Sequence, residues 1–338
     1  MSEANLQWIL KSRPTGRVTQ SNLTLESSAV PVPEQGQIVV RTQYLSIDPA
    51  NRLWMNEDPV YFPPLPLNAP MAGLVMGVVT ASNSNFKVGD RVMGFGTWSE
   101  YCRADAALFQ LMPDIEGVSP KEVFGYFQSA IPTAYFGVKE ICAPKPGETM
   151  VVSGAAGAVG SIAVQLGKAY GCRVIGIAGG PEKCTLLVKE FGVDAAVDYK
   201  SSNFGDLLGA ACPAGIDCFF DNVAGEVLDQ VLPRMNNFGR VAQCGAVAGY
   251  NDDPNRSQTG VRNYSQIVYR RLKVQGFIAL WDYADRIPEA HEEVARLYRE
   301  GKVVLRLHEI GGIENALNAL NMMFSGGNTG KLMIKVSE

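Results

Sequence analysis

Residues 151–171, "VVSGAAGAVGSIAVQLGKAYG", decide the fold. An apolar run, "TMVV", leads into glycines at 154, 157 and 160, and apolar residues then recur at helical spacing. A glycine-rich turn between a strand and a helix lets backbone come close to an anion. The spacing GxxGxxG is a variant of the dinucleotide fingerprint, whose glycines permit the tight turn, the close approach and the helix–strand packing. The pyrophosphate then rests on backbone N–H groups at the helix N-terminus, where the macrodipole favours negative charge. Alone the motif is weak. Here it follows a strand, opens a helix and begins a series of further strand–helix units, the context that gives it meaning.

The second strand indicates which dinucleotide. NAD-binding folds usually carry an Asp or Glu about 20 residues on, to bond the ribose 2′-hydroxyl. At that place the chain reads "IAGGPEK", two glycines and then Lys183. A carboxylate that would repel a 2′-phosphate is missing and a cation is within reach, so NADPH is the expected cofactor.

Outward from this unit the pattern holds. "CRVIGIAG" precedes the helical "PEKCTLLVKEFG", then come "AAVDY", "IDCFFDNV" with "GEVLDQVLPRMN", and "GRVAQCGA". Near-continuous apolar strands alternating with amphipathic helices predict a doubly wound α/β parallel sheet covered on both faces, over residues 125–300. Residues 1–124 read differently, as short alternating strands broken by proline and glycine, which predicts a β-rich domain. The proline-dense "DPVYFPPLPLNAP", 58–70, is expected to be a loop bordering a site. Strand-like "VVLRLHEI" and "GKLMIKVSE" flank a short helix, so 301–338 is expected to complete the N-terminal domain, with the α/β domain inserted into it.

The 338 residues carry a formal net charge of −4 without a long basic run, which argues against nucleic-acid and membrane-surface partners. No signal peptide or membrane-spanning run is evident, and the cytoplasm is the expected compartment. Seven cysteines form no CxxC pair, and the two histidines, His291 and His308, lie in helix-like and strand-like stretches away from other ligand types. No metal site is expected. "GGNTGK" lacks the P-loop glycine spacing and the Ser or Thr after Lys331.

At this point the chain resembles the zinc-independent medium-chain dehydrogenases/reductases. The branch is that of leukotriene B4 12-hydroxydehydrogenase (prostaglandin reductase), the plant double-bond reductases and bacterial curcumin reductase. The resemblance runs nearly end to end through "YLSIDPANR", "VGDRVMGFG", "PTAYFGV", "VVSGAAGAVGS", "GIAGGPEK", "FDNVAGE", "QCGAVAGYN", "IVYRRLKVQGF" and "GGNTGKLMIKV". It implies a GroES-like β-rich domain into which a Rossmann domain is inserted, with NADPH in the cleft between them. It also implies a site: Gly157, Ala158, Val159 and Gly160 at the pyrophosphate, and Lys183 and Tyr199 at the 2′-phosphate. Asn222, Cys244, Gly245, Ala246, Tyr250 and Asn328 join the cofactor set, and Phe277, Ile278 and Ala279 border the nicotinamide. Relatives form dimers through an edge strand at "VQGFIAL", so a homodimer is expected. One departure stands out. Relatives often read "DPYMR" where this chain has "DPANR", so Ala50 replaces an active-site tyrosine.

Without zinc to polarise an alcohol, reduction of a carbon–carbon double bond conjugated to a carbonyl suits these residues better than alcohol dehydrogenation. Hydride attacks the β carbon of an enone or enal, charge develops on the carbonyl oxygen, and donors aimed there stabilise it. Proton delivery to the α carbon follows, from a phenol or from water, and a tyrosine, protonated at neutral pH, suits the donor role. Tyr269 matches the position implicated in the plant reductases, and Tyr61 matches a substrate-pocket tyrosine. Quinone reduction, and NADPH binding without catalysis, are the alternative readings.

Overall fold

The computed structural model describes residues 4–58, 62–252 and 260–338. Six parallel strands form one sheet: β1 (Thr149–Val152), β2 (Arg173–Ala178), β3 (Ala195–Asp198), β4 (Ile216–Asp221), β5 (Met235–Gln243) and β6 (Lys273–Gly276). Their order is β3-β2-β1-β4-β5-β6, the dinucleotide-binding order, which reverses direction between β1 and β4. Helices α1 (Ala158–Ala169), α2 (Pro181–Lys189), α3 (Phe204–Ala211) and α4 (Gly225–Val231) follow β1 to β4 in turn.

Side chains alternate across this sheet, as a period of two requires. Met150 and Val152 of β1 pack on one face with Ile162 and Leu166 of α1 and with helices Ala130–Phe136 and Ile287–Arg299. Val151 faces the other way, toward Leu208 of α3 and Val231 of α4. Covering on both faces is why these strands read as unbroken apolar runs. The tight glycine turn after β1 has a steric cause. A Cβ on Gly160 would stand 2.2 Å from the Gly154 carbonyl oxygen, and Gly154 itself has φ +58.

The remaining strands form two further sheets. In the larger, Leu307–Gly311, Lys331–Lys335, Gln37–Ser46, Ala72–Ser82, Arg91–Thr97 and Phe109–Leu111 lie side by side, and Tyr101–Asp105 pairs with Gln37–Ser46. The smaller joins Leu23–Ala29, Ala4–Leu10 and Ala69–Pro70. The chain's last strand is thus antiparallel to an early one, with Met333 opposite Ser46. A single apolar cluster mixes Trp8, Leu10 and Val40 with Ala316, Leu320 and Leu332.

The structure differs from expectation over "VVLRLHEI", where pairing starts only at Leu307. Before it, the backbone of Val304 is satisfied by a side chain instead of a strand. Gln165 of α1 accepts from Val304 N at 2.7 Å and donates to Val304 O at 3.1 Å. Among the described residues no helix is long and apolar enough to cross a membrane.

One hydrogen bond joins the β-rich part to the glycine turn, and a buried ion pair within the β-rich part stands beside it. Gly330 N donates to Ala156 O at 2.7 Å. Next to it Lys331, only 2% exposed, forms an ion pair with Asp48, which also accepts from Ser46 Oγ. Asn51 Oδ1 accepts from Asp48 N at 2.7 Å and holds the turn that carries this carboxylate. Removing one partner of a buried pair leaves a charge without compensation. Asp48→Ala is therefore expected to cost about 3–5 kcal/mol in urea unfolding, and a loss under about 1 kcal/mol would show that Lys331 does not depend on Asp48.

Candidate functional site

The predicted cofactor residues gather along the carboxyl ends of the parallel strands. Gly157 stands immediately before α1 and no side chain caps the helix there. The first N–H groups of a helix have no intrahelical partner, so those of Ala158, Val159 and Gly160 are available to an anion at the helix's positive end.

At the end of β2 the sequence signal of two glycines has a spatial meaning. A Cβ on Gly179 would lie 2.8 Å from the Tyr199 ring and 2.9 Å from Lys200 Cε. Glycine there makes room for a phenol and an ammonium to fold over the strand end, and no acidic side chain fits. Lys183 arrives from the first turn of α2, half-buried, and burial followed by repulsion from Lys200 holds it below the ordinary lysine value. The Lys200 ammonium also lies 6.0 Å from the Tyr199 ring centroid. Asp198, the nearest carboxylate in sequence, accepts from the backbone N–H of Gly180 at 2.8 Å and of Lys200 at 2.9 Å. Lys200 directly follows Tyr199 in "VDYK", and that adjacency is the only signal of it that the sequence carries.

The turns after β4, β5 and β6 complete this edge. Asp221 is fully buried, and its Oδ1 accepts from Ser153 Oγ at 2.6 Å and from the N–H groups of Val223 and Ala224 at 2.9 and 3.0 Å. Burial raises its pKa despite these bonds. Asn222 is drawn to the β1 turn, with Nδ2 donating to Ser153 O at 2.7 Å. Cys244 and Gly245 donate their N–H groups to Asp221 O at 2.8 and 3.1 Å, and burial pushes the Cys244 thiol up to about 12, an inert thiol. Ala246 N donates to Tyr250 Oη at 3.3 Å, closing the loop on itself. Past β6, Phe277 meets Phe220 edge-on at 6.3 Å, Ile278 N donates to Asp282 Oδ2 at 2.8 Å, and Ala279 is buried. Asn328, also buried, sits in the turn just before Gly330 and donates to Gly330 O at 3.3 Å.

Two contacts bring the β-rich part against this edge, and neither was visible in the sequence. Arg52, only 1% exposed, donates to Pro14 O at 2.9 Å, Gly16 O at 3.3 Å, Asn56 Oδ1 at 2.6 Å and Asn251 Oδ1 at 3.1 Å. Its partners are neutral, and the last of them belongs to the loop after β5. The second contact is aromatic. Trp54, Phe62 and Phe95 pack with ring centroids 5.3–5.9 Å apart, and Phe62 meets Trp281, two residues beyond Ala279, at 6.3 Å. The backbone N–H of Trp54 donates to Ala50 O at 3.1 Å, so these rings stand one helical turn from the position where relatives often carry tyrosine.

The structure does not bring Tyr269, the first expectation for a proton donor, to this cluster. Tyr269 ends the short helix Gln266–Tyr269, is 67% exposed, and precedes β6 at that strand's amino end. Neighbouring Arg270 is tied to the start of β5, donating to Pro233 O and Met235 O at 2.5 Å. In a parallel sheet that is the edge opposite the glycine turn. A connection from β5 to β6 must descend the sheet, and local sequence does not say how far along the descent a residue lies. Tyr61 lies outside the described residues.

Comparison with known proteins accords with this geometry. Residues 6–112 match the family model described as the N-terminal domain of oxidoreductase, and residues 158–296 match the zinc-binding dehydrogenase model. The NADPH-dependent curcumin reductase of Escherichia coli is 36% identical over 99% of this chain and 98% of that enzyme. The chain belongs to the medium-chain dehydrogenase/reductase family. The NADP(+)-dependent 2-alkenal reductase of Nicotiana tabacum, 35% identical over 99% of this chain and 98% of its own, is another relative. The crystal structure of CurA from Vibrio vulnificus in complex with NADPH superposes with a TM-score of 0.91 at 36% identity, covering 98% of this chain and 99% of that one. As a medium-chain dehydrogenase/reductase the chain has two places that fit a phosphorylated dinucleotide, the uncapped α1 and the glycine cradle under Tyr199 and Lys200. Among the described residues no three or more His, Cys, Asp or Glu side chains assemble as metal ligands.

The Arg52–Asn251 bond generates a prediction. Asn251→Ala is expected to weaken NADPH binding about threefold to tenfold, roughly the worth of one partly exposed charged hydrogen bond, as read by cofactor fluorescence. Binding of 2′,5′-ADP, which has no nicotinamide half, is expected to stay unchanged. Equal weakening of both ligands would mean that the bond does not act through the β5 loop.

Proposed function

We propose that this protein is an NADPH-dependent reductase of carbon–carbon double bonds conjugated to a carbonyl, acting on α,β-unsaturated ketones and aldehydes. The observation that carries the reading is the junction of the uncapped α1 with the Lys183–Lys200 cradle, at the strand edge where the aromatic rings of the β-rich part arrive. Relatives named curcumin reductase and 2-alkenal reductase support the choice of substrate class.

In this reading the N–H groups of Ala158 to Gly160 hold the pyrophosphate, and Lys183, Tyr199 and Lys200 hold the 2′-phosphate. Bound NADPH supplies a hydride to the substrate's β carbon. Phe277 to Ala279 and the loop Cys244–Tyr250 border the nicotinamide, keeping that region dry so that donor–acceptor electrostatics act at low dielectric. Trp54, Phe62, Phe95 and Trp281 wall the substrate, supplying aromatic surface near Ala50. A proton must then reach the α carbon. With Tyr269 at the far edge of the sheet, Tyr61, directly before Phe62 in the chain, takes the donor role. We divide the chain accordingly into a β-rich catalytic domain, 1–124 with 301–338, and an inserted cofactor domain, 125–300.

The exposed residues beside β6 suggest the assembly. Val274 on β6 is 41% exposed, and Val268 and Tyr269 in the helix before it are 70% and 67% exposed; among the described residues β6 has no strand on its outer side. An edge of this kind needs cover, and a second copy of the chain supplies it as a homodimer. Val268→Lys with Val274→Lys is expected to move the protein from dimer to monomer in light scattering, and an unchanged mass would place the subunit contact elsewhere or show none.

The activity is tested by following NADPH oxidation against enals, enones and quinones, with products identified by mass. Saturated carbonyl products are expected, formed more slowly by Tyr61→Phe at unchanged KM for NADPH. Turnover of quinones alone would overturn the reading. Lys183→Ala is expected to raise KM for NADPH about tenfold or more while leaving that for NADH nearly unchanged, since a charged hydrogen bond is worth about 1.5–3 kcal/mol.

A further inference from the structure

We propose that His308 belongs to the 2′-phosphate site and takes up a proton when that phosphate binds. The inference rests on the NADPH reading above and concerns a residue that neither the motif pattern nor the helix N-terminus brings to notice.

The turn 325–330 runs past the end of β2. A Cβ at Gly326 would lie 3.7 Å from Tyr199 Oη, 3.9 Å from Lys200 Nζ and 4.0 Å from Lys183 Nζ, so a phenol and two ammonium groups converge on this turn. Three residues on, Thr329 N donates to His308 Nδ1 at 3.4 Å. With Nδ1 accepting, the neutral imidazole carries its proton on Nε2, and protonation at Nδ1 would break this contact in exchange for a charge.

The charged groups around His308 are few. Arg306, two residues earlier in the chain, donates to Thr329 Oγ1 at 3.2 Å and is paired with Glu190 at 2.7 Å. Lys183 approaches from α2, with Lys200 close to it. Helix Ala316–Phe324, "ALNALNMMF", contributes no charge. Burial first, then the positive charges of Arg306 and Lys183, hold the His308 imidazole below its ordinary value. Without an anion the ring is therefore neutral at pH 7. A phosphate dianion on the same cations reverses the local field and favours the imidazolium.

The direction of the pH effect follows. Between the lower value without ligand and the higher value with it, binding takes up as much as one proton. Affinity then falls as pH rises through that window, by at most about tenfold per pH unit. The sequence contains only two histidines, and His291 is committed elsewhere, its Nε2 lying 2.6 Å from Phe127 O. No second imidazole confuses the measurement.

The experiment is calorimetric titration of the full-length protein with 2′,5′-ADP at pH 7, in two buffers of different ionisation enthalpy. Wild type and His308→Gln are compared, which cancels the protonation of the phosphate itself. The expected result is a net proton uptake in the wild type that is lost in His308→Gln, together with a threefold to tenfold weaker Kd at pH 6 and a smaller difference at pH 8. Equal uptake in both proteins, with tight binding retained, would overturn the role of His308 and leave the NADPH reading standing. Binding no tighter than that of 5′-AMP would overturn both. Should His308→Gln fail to fold, proton NMR of the wild type gives the same answer. One of the two imidazole resonances is expected to titrate at higher pH with 2′,5′-ADP present, and an unmoved pair would overturn the proposal.

Discussion

The buried ion pair between Lys331 and Asp48 is the constraint on which the site's arrangement depends. It joins the last strand of the chain to the first β-rich segment, and one residue before it Gly330 bonds the backbone of the glycine turn. A charge at 2% exposure is stable only with its partner in place, so this contact fixes position as much as it adds stability. Asn328 and Thr329, immediately upstream, are thereby carried to the ends of β1 and β2. Through Gly330, two parts of the fold that share no sheet are held in register at the glycine turn.

Around that seam the chain withholds negative charge. The strand end that holds an acidic residue in NAD-binding folds is Gly179, and its missing side chain is filled by Tyr199 and Lys200. Asp198 is occupied with backbone N–H groups, and Asp221 is spent on the turn between β4 and α4. Among the described residues Lys183, Tyr199 and Lys200 converge at this strand end. Lys183, held low by burial and then by Lys200, and His308, held low by burial and then by Arg306 and Lys183, share a cationic surrounding that an anion would offset.

The contact between the β-rich part and the turns after β5 and β6 is organised differently, by packing instead of charge. Arg52 binds the loop after β5 through neutral oxygens, and four aromatic rings span from the short helix after Asp48 to the helix after β6. Ala50 removes one tyrosine from this wall, while Trp54, one turn later, faces Phe62 and Phe95. The shape of this aromatic cluster is therefore set by side chains from distant parts of the chain, and their order in the sequence gives no hint of the encounter.

The glycine spacing 154-157-160, the alternation of strand and helix, and Lys183 after a pair of glycines were legible because each is local. They report backbone conformation, face burial and charge within a few residues, where hydrophobic period and sterics dictate the outcome. Tyr269 was not legible in the same way. Its motif lies in the connection between parallel strands, and only the path of that connection shows that it emerges at the amino end of β6. The sequence by itself determined the fold class, the strand that ends in the phosphate turn and the preference for a phosphorylated cofactor. Tertiary structure alone decided that Lys200 joins Lys183, that Asn251 meets Arg52, and that His308 stands beside Thr329. Those encounters depend on how buried surfaces pack across long sequence separations, and no local periodicity records that packing.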